Sequence, residues 1–331
     1  MQMVRVLESA NHWQFDAFKL CEVTEGHTLS ALGYYTLHQA GLINHFRMKP
    51  THLARFLRAV EDGYINNPYH NKTHAADVLQ TFHLILRRGG LIPGYVDPLT
   101  HVACLLAAVV HDFEHVGRTN DFLINTGSDL AILYNDRAPL ENHHLAAAFQ
   151  LLRKPEFNFM PDLTKAEHDK LRKTVIDLVL ATDMKQHFSI VSHFTTVHRL
   201  GSGGSMAPSA QIVVPLDETE RMISLQLALK CADLGHTAAA LPVHLKWVAG
   251  LEEEFFRQGD AERAAGLPIS PLFDRMKQGI SKSQVGFFDI VVIPLYHSFS
   301  RVFTGTKPLL TFVMRNYKVW NEQQRLAGGA Q

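Results

Sequence analysis

Apolar residues recur three or four apart along almost the whole of this chain, and no other feature restricts its possible folds so strongly. Leu53, Phe56, Leu57 and Val60 form one such set, Leu79, Phe82 and Leu86 a second, and Leu145, Phe149 and Leu152 a third. At 3.6 residues per turn each set lines one face of a helix, whereas a half-buried strand would alternate. Only "QIVVP" at 211–215 hints at a strand. Breakers at "RRGGLIPGYVDP" (87–98), "GSGGSMAPSA" (201–210) and "GLPISP" (266–271) divide the helical stretches, which predicts an all-α fold of about a dozen or more helices. The Gly/Ser stretch is short and has chemically suggestive residues on both sides. It therefore reads as a surface loop within one domain spanning residues 1–331, not as a linker.

With 46% of its 331 residues hydrophobic, the chain can bury a sizeable core. Thirty-two Lys and Arg balance thirty-two Asp and Glu, so no net field draws it to nucleic acid or an anionic membrane, and neither is expected as a partner. Cys21, Cys104 and Cys231 are widely separated and odd in number, which fits reduced thiols and not a disulfide framework. The longest apolar run, "VACLLAAVV" at 102–110, is about half of the ~20 residues a membrane-spanning helix needs and reads as a core helix. The N-terminus lacks the basic-then-apolar build of a signal peptide, which points to a cytoplasmic chain or to a domain of a longer one.

Within "PYHNKTHAADV" (68–78), His70 and His74 stand four apart on what reads as the opening of a helix, with Asp77 one turn further on. The apolar helix at 102–110 ends in "HDFEHVGRTN", where His111 and His115 repeat that spacing and Asp112 adds a carboxylate. In "LQLALKCADLGH", Asp233 enters an apolar wall, and a buried carboxylate needs a cation or strong hydrogen bonds. Imidazole and carboxylate without thiolate pairs suit zinc, manganese, iron or magnesium at a hydrolytic site better than a structural zinc knot. A carboxylate such as Asp112 can bridge two cations, and a water held by such a pair yields hydroxide at neutral pH, a good nucleophile toward phosphorus esters.

The motifs "YHNKTHAADV", "HDFEHVGRTN", "LENHHLAAAFQLL", "VLATDM", "CADLGH", "EEEFFRQGD" and "SQVGFFD" occur in order over roughly residues 30–320. Together they resemble the class I cyclic-nucleotide phosphodiesterase catalytic domain. The resemblance implies a compact all-α domain of HD type with about sixteen helices, two metals at the bottom of a deep pocket, and hydrolysis of 3′,5′-cyclic nucleotides to 5′-monophosphates. By that resemblance His74, His111, Asp112 and Asp233 match the ligands of the tighter metal, zinc, with Asp112 bridging to a second, magnesium or manganese. His70 matches the general acid that protonates the departing O3′. His115, Glu141 and Thr182 match groups that hold the second metal's waters, and Tyr69 and Asn120 match pocket residues near the phosphate. Gln284 matches the amide that hydrogen-bonds the purine, Phe287 the ring that stacks on it, and Leu251 the opposite jaw.

His236 stands where strictly cAMP-selective members carry Asn. A neutral imidazole able to exchange tautomers, beside a glutamine amide free to turn, is expected to admit both cAMP and cGMP. Val116 after His115 and the long 201–210 loop resemble protozoan, kinetoplastid C-type members. The implied partners are the cyclic nucleotide and competitive inhibitors of its pocket; regulatory domains and a dimer interface are not visible in the sequence. Another histidine–aspartate phosphohydrolase would share the ligand set but not Gln284 and Phe287. A non-catalytic cyclic nucleotide sensor would have no need of His70, and a di-iron oxygenase would betray itself by a visible spectrum and oxygen consumption.

Overall fold

The computed structural model describes residues 2–201, 214–277 and 279–328, and every regular element among them is helical. Seventeen α-helices follow one another: α1 (Gln2–Ser9), α2 (Ala17–Val23), α3 (Thr28–Gln39), α4 (Leu42–His45), α5 (Pro50–Gly63), α6 (Lys72–Arg88), α7 (Pro98–Val110), α8 (Asn120–Asn125), α9 (Asp129–Leu133), α10 (Pro139–Leu152), α11 (Lys165–Leu180), α12 (His187–Gly201), α13 (Glu218–Asp233), α14 (Leu241–Ala264), α15 (Gln284–Phe287), α16 (Ile293–Val302) and α17 (Lys307–Gly328). The stretch at 201–210 falls outside the described residues from 202 onward, as do residues 211–213 of the strand hint; Val214 and Pro215 are in no strand.

Two helices are buried on every side and fix the positions of the others. Residues 73–86 of α6 and 99–110 of α7 are buried without interruption, the condition of a helix at the centre of a large domain. α6 packs against α7, α13 and α3, and α7 packs in turn against α11. Burying one Leu or Phe side chain contributes roughly 1.5–3 kcal/mol, so Leu79, Phe82, Leu105, Leu227 and Leu229, all fully buried, make this centre the least yielding part of the molecule. The apolar sets expected on α5 and α6 are buried throughout; on α10 Leu145 is buried while Phe149 and Leu152 pack half-buried at the core's edge. All three cysteines are free.

Side chains fix where these helices begin. Asn71, Asp97 and Asp217 cap α6, α7 and α13, each accepting hydrogen bonds from the first turn, and Pro98 occupies the first turn of α7. α15 runs through a π-helical turn (Phe288–Val292) into α16. Pro294 lacks an N–H and its ring would meet the carbonyl of Ile290, a conflict that the wider turn relieves. By length and composition alone, Gln284–Val302 could cross a membrane. It is equally a core helix by those measures, and its Phe288, Val292, Leu295, Tyr296 and Phe299 are buried in the core.

Candidate active site

Three of the central helices end at one point. His74 lies in the first turn of α6, His111 is the C-cap of α7 with Asp112 beside it, and Asp233 is the last residue of α13. The C-termini of α7 and α13 bring partial negative charge to a place that already holds two carboxylates, and together they favour a cation. His74 Nε2 stands 3.2 Å from Asp233 Oδ1 and 3.5 Å from Asp112 Oδ2; His111 Nε2 stands 3.1 Å from Asp112 Oδ2 and 3.5 Å from Asp233 Oδ1. Donors about 2.0–2.2 Å from one shared ion are separated by about 3–3.5 Å. His111 Nε2 and Asp112 Oδ2 are buried, and neither makes a well-directed hydrogen bond, so the geometry that fails as a pairwise bond fits a common cation.

The tautomer of His111 agrees with that assignment. Its Nδ1 lies 3.0 Å from the Ala108 carbonyl, which places the proton on Nδ1 and turns the Nε2 lone pair toward the cluster. Without a cation in place Asp112 and Asp233 outweigh burial and raise His111 well above its ordinary pKa, so Nε2 then carries a proton that a metal would displace. Burial acts to raise the Asp112 carboxyl, but that protonated His111 holds it well below the usual carboxylate range. Burial likewise acts to raise Asp233, and His111 and His74 hold it below.

His70 belongs to a different arrangement. α6 starts at Lys72, so His70 lies in the preceding turn and does not share a helical face with His74, contrary to the expectation from their spacing. Glu254 of α14 holds it in place. One carboxylate oxygen accepts from the backbone N–H groups of Tyr69 and His70, both at 3.0 Å, while the other receives a very short hydrogen bond from His70 Nδ1. Gly250 makes that approach possible, since a Cβ there would lie 2.6 Å from the Pro68 carbonyl oxygen. Burial by itself would lower the His70 pKa, but the Glu254 carboxylate outweighs it and raises the value to about 9. His70 is therefore an imidazolium at neutral pH, with Nε2–H free to donate.

His115 also leaves helical geometry. The chain turns after Val110 through Glu114, a residue with left-handed φ of 60°, and lays His115 flat on His70 with ring centroids 4.0 Å apart. The Gly117 N–H donates to His115 Nδ1 at 3.0 Å, so the proton of this ring sits on Nε2. Burial and the neighbouring His70 charge hold His115 well below its ordinary pKa. A neutral ring offering N–H suits holding a water and not ligating a metal directly. Asp77 is buried but is outside the convergent metal-ligating groups, and burial together with Asp16 pushes its pKa up to about 7.

A cavity of about 400 Å³ opens on the cluster and is lined by Tyr69, His70, Asp112, His115, Asn120, Glu141, Thr182, Asp233, His236, Leu251 and Phe287. His74, His111 and Gln284 are buried and do not reach its surface. Asn120 is committed on both sides: its amide nitrogen donates to Glu141 at 2.9 Å and its oxygen accepts from Leu140 N at 3.0 Å. It therefore fixes Glu141, which burial raises to about pKa 7. The Thr182 hydroxyl donates to Val179 O at 2.7 Å, leaving its lone pairs free. Sequence reasoning missed Glu254, and it also missed His144 and Lys230. His144 Nε2 lies 3.9 Å from Asp112 Oδ1, and the fully buried Lys230 donates to the Ala181 and Thr182 carbonyls.

The expected tautomeric freedom of His236 is overturned by its neighbours. Trp320 Nε1–H donates to His244 Nε2 at 2.9 Å, so His244 carries its proton on Nδ1. That nitrogen faces both the His236 carbonyl and His236 Nδ1 at 3.1 Å, which leaves His236 with its proton on Nε2. The free turning expected of Gln284 is also restricted. Its amide nitrogen donates to Ile280 O at 3.0 Å while its buried Oε1 has no partner, and a flip would set two oxygens against each other.

This fold and donor set define a helical domain able to hold divalent metal beside a charged acid. A family model described as 3′,5′-cyclic nucleotide phosphodiesterase matches residues 69–313, and the chain belongs to that family. It is 42% identical over 295 residues to a dual specificity calcium/calmodulin-dependent 3′,5′-cyclic nucleotide phosphodiesterase 1 of Drosophila melanogaster, covering 88% of this chain and 34% of that protein. The 1B form of Bos taurus is 40% identical over 296 residues, covering 89% and 52%. Among solved structures, the phosphodiesterase domain of the RhoPDE fusion protein from the choanoflagellate Salpingoeca rosetta superposes with a TM-score of 0.88 at 30% identity over 97% of both chains. The chain thus spans about a third to a half of the length of these curated relatives.

Proposed function

We propose that this chain hydrolyses 3′,5′-cyclic nucleotides to nucleoside 5′-monophosphates, with His70 as general acid. The observation that carries this reading is the placement of His70, its pKa raised to about 9 by Glu254, in one cavity with Asp112 and Asp233, which converge with the buried His74 and His111 on a site able to hold a metal ion. His74, His111, Asp112 and Asp233 would hold zinc, and Asp112 would share a second ion, magnesium or manganese, whose waters His115, Glu141 and Thr182 would orient. Cations bound there supply Lewis acidity toward the phosphoryl oxygens and acidify water at neutral pH. The rest is the work of the chain's own groups. Water loses a proton to solvent, its oxygen bonds to phosphorus, the P–O3′ bond breaks, and O3′ takes the proton from His70 Nε2. Glu254 keeps the resulting neutral ring in place to be recharged from solvent.

Phe287 and Leu251 would hold the purine between them. Gln284 is buried behind the cavity wall, so base recognition through it would require its side chain to be uncovered on binding. With its amide nitrogen held by Ile280, the uncovered oxygen would accept from a donor of either base, N6–H of adenine or N1–H of guanine. Dual specificity is therefore still expected, for a different reason from the one read in the sequence, with kcat/KM for cAMP and cGMP within about thirtyfold. The test is purified chain with magnesium or manganese, each nucleotide offered separately, and products separated by chromatography. Absence of 5′-monophosphate from both sinks the function, and a preference above about a thousandfold sinks the specificity argument.

A further inference from the structure

α14 carries Glu254, Gln258 and Glu262 four residues apart, three polar side chains buried on one helical face. Glu254 is committed to Tyr69 and His70, but the other two take part in none of the chemistry above. Gln258 Oε1 accepts from Thr119 N at 2.8 Å, and its Nε2 donates to Thr119 Oγ1 at 3.0 Å and to Glu262 Oε1 at 2.9 Å. Glu262 in turn accepts from the Ser270 hydroxyl and backbone N–H, both at 2.7 Å. Thr119 is the N-cap of α8, and the next residue, Asn120, holds Glu141. At the other end, Ser270 belongs to the segment that connects α14 to Gln284 and Phe287. That segment rests directly on α14 at Gly259, where a Cβ would lie 1.9 Å from the Phe273 carbonyl oxygen.

We propose that Ser270, Glu262 and Gln258 are positioning residues, a single hydrogen-bonded chain through which the order of the 265–277 segment, next to the proposed purine side, sets the geometry of Asn120 and Glu141 on the phosphate side. The chain has no slack. Both hydrogens of Gln258 Nε2 are used, and the Glu262 carboxylate has donors on each oxygen. Losing the Ser270 hydroxyl removes one of the two donors on Glu262 Oε1 and loosens the carboxylate, and losing the carboxylate itself leaves the Ser270 and Gln258 donors competing for one acceptor, so in each case the neighbours must reorient. The part assigned to Glu141 rests on the proposed function; the link between the two segments does not.

The experiment compares the whole chain with Ser270→Ala and Glu262→Gln, using Arg257→Ala as a surface control on the same helix. Glu262→Gln keeps the volume but has one acceptor oxygen, so it cannot serve both the Oε1 position, which accepts from Gln258 and the Ser270 hydroxyl, and the Oε2 position, which accepts from the Ser270 N–H. Amide hydrogen exchange is followed at residues 119–123, with residues 73–86 of α6 reporting whether the fold is intact. Kcat and KM for cAMP are measured in parallel. The proposal expects exchange at 119–123 to quicken at least about tenfold in both variants while α6 is unchanged, and kcat to fall along with any rise in KM. Ser270→Ala combined with Asn120→Ala should cost less than the product of the two single effects. Unchanged exchange at 119–123, an effect on KM alone, or a fully multiplicative double variant would each overturn it. Quickened exchange with unaltered kcat would instead count against the role given to Glu141 in the proposed function.

Discussion

Replacing Glu254 with Gln tests the acid assignment most sharply, because it removes a charge while keeping nearly the same shape. In the native arrangement the carboxylate outweighs burial and holds His70 at a pKa of about 9, so about 97% of the ring is charged at pH 7.5. The amide can still accept from the Tyr69 and His70 N–H groups through its oxygen, so the ring stays in place. Without the carboxylate, burial is opposed only by Asp112 and Asp233, and the pKa falls back toward the ordinary 6.5, at which about 9% of the ring would be imidazolium at pH 7.5. Kcat for cAMP should therefore drop about tenfold at that pH and recover as the pH is lowered toward 6, while the wild type stays flat across the same interval. Bound cations lower both values by their own field, so the displacement between the two profiles is the diagnostic quantity. Superimposable kcat profiles for Glu254→Gln and wild type would refute the reasoning.

Asp233→Ala or Asp112→Ala should lose bound metal and turnover together, since each removes one of four convergent donors; elemental analysis showing full metal content and full activity contradicts the cluster. His70→Ala should instead keep its metal while kcat falls by roughly 10²–10⁴-fold, the usual contribution of a positioned acid, and loss of metal by the same analysis would make His70 a ligand. Trp320→Phe frees the His244 proton and with it the His236 tautomer, so the ratio of kcat/KM for the two nucleotides should change while thermal stability falls by about 1–3 kcal/mol for the unsatisfied His244 nitrogen; an unchanged ratio removes His236 from base selection. His236→Asn should move that ratio toward cAMP, measured by the same competition of substrates.

The convergent histidine–aspartate cluster was legible because its members are chemically distinctive and sit at the ends of strongly apolar helices: His111 and Asp112 close the buried run of α7, and Asp233 closes α13. Helical faces were legible for the same reason, as Leu53, Phe56, Leu57 and Val60 show. Spacing misled at His70, because the helix starts only at Lys72, after the Asn71 cap, and at His115, because Glu114 turns the chain left-handed. The partners that decide protonation come from remote parts of the chain. Glu254 meets His70 across 184 residues, and Trp320 reaches His236 only through His244. Local pattern carries no trace of such contacts, although a Glu254, Gln258, Glu262 stripe on an otherwise ordinary helix was a signal that buried polar partners lay opposite. The Gln284 orientation depends on the Ile280 carbonyl, a backbone group that no side-chain motif reports.

The central claim is that water attacks phosphorus and O3′ leaves, and the identity of the bond that breaks reports it directly. Metal-loaded protein should be given cAMP in ¹⁸O-enriched water, and the nucleotide product analysed by mass spectrometry after a single turnover of the substrate pool. The account predicts 5′-AMP carrying one ¹⁸O in its phosphate and an unlabelled 3′-hydroxyl. Formation of 3′-AMP, label in the ribose, or intact cAMP after incubation with fully metal-loaded protein would contradict it.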